Sequence, residues 1–192
     1  MWLTEYNLGL GELALGSPAL GTTWEHGLYI AGLDMQELTS PRVVLTDYWD
    51  LFGSTQDAQF LETIPPVITP AGSASKLINQ AMKGATVITV LSIAHDPTMD
   101  GSVQSVSGIK LGTASGGDRI ILVNLGSSAV TLYSGRVIQK GASVQQLSGP
   151  LSSKAVNVQS SHVSSDLTLP SYSVTVVSME TVNPDSSRHH LS

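Results

Sequence analysis

The sequence predicts a mixed fold: two strand–helix units of the parallel α/β kind, then an antiparallel β-sandwich. Three observations carry this. Before Gly84, strand-like apolar runs alternate with helical periodicity, the order expected of parallel strands with covering helices. After Gly84 the chain turns rich in Ser, Val, Thr and Gly, with period-two patterns broken by turns, as in a sandwich. And the first segment, Met1 to Tyr6, is apolar on both sides of its pleat, a pattern of strands buried between neighbours. Nothing precedes that segment, and two strand–helix units do not make a covered sheet. The expectation is that the chain is the back part of something longer.

The first strand ends in Thr4-Glu5-Tyr6-Asn7, which sets a carboxylate at its C-terminal end. Trp24, Leu28, Ala31, Met35 and Leu38 are spaced 4, 3, 4, 3 and form one stripe of an amphipathic helix. Thr22 fits its N-cap, with Glu25 completing a capping box, and Ser40-Pro41 ends it. Arg42 to Trp49 reads as a second buried strand running into polar and aromatic residues. A long loop with Pro65, Pro66 and Pro70 follows. Ser73 opens a second helix with Leu77, Ile78, Ala81 and Met82 on one face, and Gly84 suits its C′ position.

In the second half the clearest strands are Val87 to Ile93, Arg119 to Leu125, Ala129 to Tyr133 and Tyr172 to Met179. Gly126-Ser127-Ser128 separates two of them by three residues and predicts a hairpin. Ser152 to Ser165 reads as loops and an edge strand. The predicted organisation is residues 1–85 as the α/β part, 86–182 as the sandwich and 183–192 as a disordered polar tail.

Composition removes several classes of function. Of the 192 residues, 41% are apolar and 12% charged, which argues against disorder. The net charge is −6 and the basic residues are scattered, so no nucleic-acid face is expected. Cysteine is absent, which excludes disulfides and thiolate metal sites. No apolar run reaches the length of a membrane span, and no membrane partner is expected. The histidines lack the spacing of a helical metal site. His26 reads as solvated or loop-contacting, His95 and Asp96 as turn residues before Pro97, His162 as part of a Ser-rich loop, and His189-His190 as a solvated tail.

Taken in order, Trp2-Leu3-Thr4-Glu5-Tyr6-Asn7, Thr23-Trp24-Glu25-His26-Gly27-Leu28-Tyr29, Val43 to Trp49, Pro66 to Gly72 and Leu169-Pro170-Ser171-Tyr172-Ser173-Val174-Thr175-Val176 resemble the last part of a retaining (β/α)8-barrel glycoside hydrolase. The α-L-arabinofuranosidases, with related β-xylosidases and glucuronidases, are the nearest such pattern. The resemblance implies the last two βα units of the barrel, then a β-sandwich. It implies a plant-type poly- or oligosaccharide as the parent's substrate and no cofactor. It makes Glu5 the nucleophile, since the family carries that glutamate in a Thr-Glu-Trp or Thr-Glu-Tyr at the end of the seventh strand. The family's acid/base glutamate follows an asparagine, and this sequence has no Asn-Glu pair, so that residue is absent. The implied partner is the missing N-terminal part of the barrel, or another copy through exposed apolar faces.

Retaining glycosidases set two carboxyl groups about 5 to 5.5 Å apart, one attacking the anomeric carbon and one serving as acid, then base. Glu5 suits the first role, because barrel enzymes place their chemistry at the C-terminal ends of strands. Trp49 and Tyr48 can stack on a sugar ring or fill a core. Asp47 can bind a sugar hydroxyl or cap a turn. Tyr6 and Asn7, beside Glu5, can line a pocket, and Asn7 can instead make a turn. Two rival readings stand beside the enzyme: a non-catalytic sandwich module, and an inactive truncated product. The aromatic poverty beyond Gly84, where Tyr133 and Tyr172 are alone, disfavours a glycan-binding platform.

Overall fold

A computed structural model describes residues 2–6, 22–43, 45–48, 61–63, 66–99, 103–114, 116–133 and 137–179. The dominant feature is a six-stranded antiparallel sheet covered on one face by two helices. Among the described residues no helix is long and apolar enough to cross a membrane.

The first part opens with β1 (Trp2–Tyr6), α1 (Trp24–Thr39) and β2 (Leu45–Tyr48). β1 and β2 pair in parallel, as the alternation of strand and helix predicts. α1 buries its predicted stripe at Trp24, Leu28, Ala31 and Met35. Its cap differs from the expected box. The N-cap is Thr23, and the Thr23 side chain makes no capping bond. The first helical amides are satisfied from outside: Trp24 N donates to Ser153 O at 2.8 Å and Glu25 N to Leu151 O at 2.9 Å. Carbonyls from a distant loop thus do what a local side chain does in most helices.

A second buried stripe runs along α1 through His26, Ile30 and Glu37. His26 is fully buried, which corrects its reading as a solvated residue. Periodicity located the strongest apolar face, and a helix packed on more than one side buries a second face that carries polar groups.

The proline-rich stretch holds a short antiparallel pair, β3 (Leu61–Thr63) and β4 (Pro66–Ile68). α2 (Pro70–Met82) begins one turn earlier than the predicted Ser73. Thr69 is its N-cap and accepts from Gly72 N at 3.1 Å, and Pro70 takes the first helical position, where a missing N–H costs nothing. Gly84 has φ of 75°, the left-handed conformation expected beyond the helix end.

The remainder contributes β5 (Ala85–Val90), β6 (Thr98–Met99), β7 (Val103–Gln104), β8 (Val106–Thr113), β9 (Asp118–Asn124), β10 (Val130–Tyr133), β11 (Ser143–Ser148), β12 (Asn157–His162), β13 (Asp166–Leu169) and β14 (Ser173–Ser178). The large sheet has the order β12-β11-β14-β9-β8-β5, with every neighbouring pair antiparallel. A two-stranded ribbon, β10 with β13, faces it across the second core. His162 ends the edge strand β12 opposite Ser143, rather than lying in a loop.

β9 explains the layering. Ile121 and Val123 join the core under the helices, with Ile109, Leu111, Val174 and Val176. Ile120 and Leu122 join the core under the ribbon, with Val144, Leu167, Leu169 and Val177. A strand buried on both faces needs a continuous apolar run, and Ile120 to Val123 supplies one. The helices therefore share a core with the sheet; the packing runs straight across residue 85.

The predicted hairpin at Gly126-Ser127-Ser128 is not formed. β9 has β8 and β14 on its two edges, so β10 cannot pair with it and crosses to the ribbon. Asn124 directs the crossing. Its Nδ2 donates to Ser128 O at 2.9 Å and Pro170 O at 2.8 Å, and its Oδ1 accepts from Gly126 N at 2.9 Å. The side chain is fully buried, so replacement by Leu leaves several backbone groups unsatisfied. Asn124→Leu is expected to lower stability by about 2–4 kcal/mol, read from the shift in urea midpoint at constant slope.

Arg119 ties β9 to the end of α2. Its Nη1 donates to Ala81 O at 2.8 Å and Lys83 O at 2.7 Å. Those are carbonyls of the last turn and cap, which lack helical partners and favour a cation. Arg119→Met is expected to cost about 1–2 kcal/mol, with early loss of amide protection in the last turn of α2 as the local sign.

Candidate active site

β1 and β2 run side by side in the same direction, so their C-terminal ends lie together. The register is Trp2 with Leu45, Leu3 with Thr46, then Tyr6 with Tyr48. Between the last two pairs β1 advances three residues and β2 advances two. Thr4 and Glu5 thus share the register position opposite Asp47. The register shifts here by one residue, as at a bulge, a feature that recurs beside active sites.

The structure brings Glu5, Tyr6, Asp47 and Tyr48 to one end of one strand pair. Asn7 and Trp49, the remaining predicted site residues, lie outside the described residues. The sequence placed Glu5 at a strand end but gave no sign of the bulge, because register belongs to two strands at once.

Asp96, also singled out from the sequence, has structural partners. His95 does make a turn, with Ala94 and at φ of 59°, and Asp96 follows it. Asp96 accepts from Ser105 Oγ at 2.9 Å and from Val106 N at 3.0 Å, which anchors the segment after β5 to the start of β8. Among the described residues no group of three or more His, Asp or Glu side chains is placed to hold a metal ion.

A separate concavity was not anticipated. It has a volume of about 500 Å³ and lies between β10 and the segment Leu91–Asp96, over Ile120 and Leu122.

Comparison with known proteins gives a likeness in fold. No protein-family model and no curated protein matches the chain. Solved structures do. The catalytic domain of GH30 xylanase C from Talaromyces cellulolyticus matches with a TM-score of 0.62 at 17% identity, over 94% of this chain and 40% of that one. The thermostable GH51 α-L-arabinofuranosidase from Thermotoga petrophila matches with a TM-score of 0.63 at 18% identity, over 82% of this chain and 38% of that one. The GH30 subfamily 8 xylanase Xyn30A from Clostridium acetobutylicum matches with 0.62 at 15% identity, over 93% and 42%. The chain spans about two-fifths of the length of these structures. In fold it resembles glycoside hydrolases of the arabinofuranosidase and xylanase kind, of which it covers a part.

Proposed function

We propose that the chain is the C-terminal part of a retaining glycoside hydrolase, resembling the arabinofuranosidases, and that Glu5 is its nucleophile. The observation that carries this reading is the register of β1 and β2. A parallel pair, joined through a helix, sets Glu5 on a bulge near the C-terminal end of β1. In a (β/α)8 barrel that end is the catalytic face. The fold likeness to arabinofuranosidases and xylanases supports the same reading.

In the proposed reaction the Glu5 carboxylate attacks the anomeric carbon, and the glycosidic C–O bond breaks as the leaving oxygen takes a proton from a second carboxyl group. A covalent glycosyl–Glu5 ester results. Water, deprotonated by the second group, then releases the sugar with its original anomeric configuration. The second carboxyl group is assigned to the part of the parent outside this chain. Asp47, Tyr48, Tyr6, Asn7 and Trp49 are proposed to line the sugar subsite around Glu5, with the aromatic residues stacking on the ring. Substrates of the parent are pentose-containing plant poly- or oligosaccharides, and the two carboxylates need no metal.

The test uses the protein extended upstream in its natural reading frame. Nitrophenyl α-L-arabinofuranoside and β-xyloside are supplied, and the first anomer released is read by proton NMR. Hydrolysis with retention is the expected result. Inversion, or no hydrolysis of either substrate, contradicts the proposal.

A further inference from the structure

We infer that Ser153 is a positioning residue: it shapes the loop between β11 and β12 into a clamp on the first turn of α1, and the clamp keeps the end of β1 that carries Glu5 in place for reaction. The inference rests on the reading of Glu5 as the nucleophile.

The start of α1 is buried. Thr22, Thr23, Trp24 and His26 all lie inside. A buried helix start needs partners for its first amides. The Thr23 side chain makes no capping bond. The loop after β11 takes over that task, with Ser153 O accepting from Trp24 N and Leu151 O from Glu25 N. Tyr172 O, in the loop before β14, accepts from Trp24 Nε1. Two adjacent residues of α1 are thus held from two loops far along the chain.

Both loops are stiffened. Ser153 Oγ donates to Ala155 O at 2.7 Å and accepts from Ala155 N at 3.1 Å. A serine hydroxyl bonded to the backbone two residues on folds the chain into a tight turn. Ser153 N closes the other side on Pro150 O at 2.9 Å. Leu151 and Val156 pack on the core under the helices, which anchors the loop at two points. The carbonyls of Leu151 and Ser153 are therefore fixed in direction. In the second loop Tyr172 has φ of 51°, a conformation that bulky residues rarely adopt. Strain of this kind persists only where the surroundings impose it, and it gathers at functional sites. The carbonyl of this strained residue is the one that holds Trp24. Loops that only linked strands would need neither device.

The topology puts the clamp at the Glu5 end. β1 and β2 are parallel and α1 lies between them in the chain, so α1 runs back against both. Five residues, 40–44, separate the end of α1 from the start of β2. The 16 residues of α1 span about 24 Å. That length carries its first turn toward the end of the strand pair where Glu5 lies. A shift of this turn is passed to β1 through the chain that joins them. A misplacement of about 1 Å at a reacting group can cost about 10²-fold in rate.

Ser153→Ala and Ser153→Thr, each made in the upstream-extended protein, provide the test. Ser153 is half-buried at the surface, so both variants should fold. Amide exchange is read at Trp24 and Glu25. Reactivity is read with an activated 2-deoxy-2-fluoro glycoside, whose aglycone the Glu5 carboxylate displaces. A partly unfolded sample lowers the amount labelled, whereas a displaced nucleophile lowers the rate constant. Ser153→Ala is expected to exchange about 10-fold faster at the two amides and to be labelled about 10-fold more slowly, yet completely. Ser153→Thr keeps the hydroxyl and should restore both. Unchanged exchange in Ser153→Ala overturns the inference. So does faster exchange with an unchanged labelling rate, or a smaller labelled amount at an unchanged rate, which is a folding role alone. A Ser153→Thr variant as slow as Ser153→Ala overturns it too, since the hydroxyl is then not the cause. A wild-type extended protein that takes no label removes the nucleophile reading and this inference with it. A wild type labelled on Glu5, with Ser153→Ala labelled as fast, removes the clamp alone.

Discussion

Glu5→Gln in the upstream-extended protein is expected to reduce kcat/KM for aryl glycosides by about 10³-fold or more, because glutamine keeps the shape and loses the proposed nucleophile. The same substitution should leave the urea midpoint nearly unchanged, which separates chemistry from folding. The 192-residue chain without its upstream part is expected to turn over the same substrates negligibly. A missing acid/base group alone costs about 10² to 10⁴ in rate. On the proposed reading the barrel is also incomplete and fails to hold the sugar against the attacking oxygen, a further loss of positioning. Robust hydrolysis by the 192-residue chain would place the second carboxylate within it, with Asp47, opposite the bulge, the first residue to replace.

The largest stability effect is expected at Trp24. Its side chain is fully buried in the core shared by the helices and the sheet. Its Nε1 donates to Tyr172 O at 2.6 Å, and its own amide donates to Ser153 O. One residue thus joins α1 to the loop after β11 and the loop before β14. Trp24→Ala is expected to cost about 3–5 kcal/mol, through lost burial, a cavity and an unpaired carbonyl. Trp24→Phe, which keeps most of the burial and loses the hydrogen bond, should cost less. A chain in which the two substitutions have equal small effects would refute the role of Trp24 as the joint between α1 and the large sheet. Gly27 supports that joint. A Cβ there would lie 2.7 Å from Trp24 Cε3 and 3.0 Å from the Pro70 carbonyl carbon, so only glycine lets α1 seat on α2.

The parts of the fold that were legible are those whose signal is local. α1 and α2 declare themselves by apolar spacing, and β9 and β14 by runs of Ile, Leu and Val. β8 was not read because Gly108 and Gly112 break its pattern. Gly108 is required by packing: a Cβ there would lie 2.8 Å from Leu122 Cδ2. β11 was hidden by composition. It reads Ser-Val-Gln-Gln-Leu-Ser, and its buried Gln146 is tolerated because Nε2 donates to Thr168 O at 2.8 Å and Thr175 Oγ1 at 3.1 Å. Polar atoms satisfied by partners far along the chain leave no trace in a local pattern.

The false hairpin after β9 has the same origin. Gly126-Ser127-Ser128 is a sound turn, yet the strand it should return to already has both edges occupied by β8 and β14. Turn chemistry specifies a change of direction and does not specify a partner. The candidate site divides likewise. Thr4-Glu5-Tyr6 could be recognised as a strand end carrying a carboxylate, whereas the bulge opposite Asp47 exists only once β1 and β2 are in register. The concavity beside β10 is still further from the sequence, since residues far apart along the chain line it.

The most direct test of Glu5 as nucleophile is to trap the covalent intermediate. A retaining enzyme treated with an activated 2-deoxy-2-fluoro glycoside accumulates the glycosyl ester, because the electron-withdrawing fluorine destabilises the oxocarbenium-like transition states and the good leaving group rescues only the first step. The upstream-extended protein should be labelled once, and fragmentation of its peptides by mass spectrometry should locate the sugar on Glu5. A label on any other carboxylate, or turnover with retention and no label on Glu5, would contradict the account.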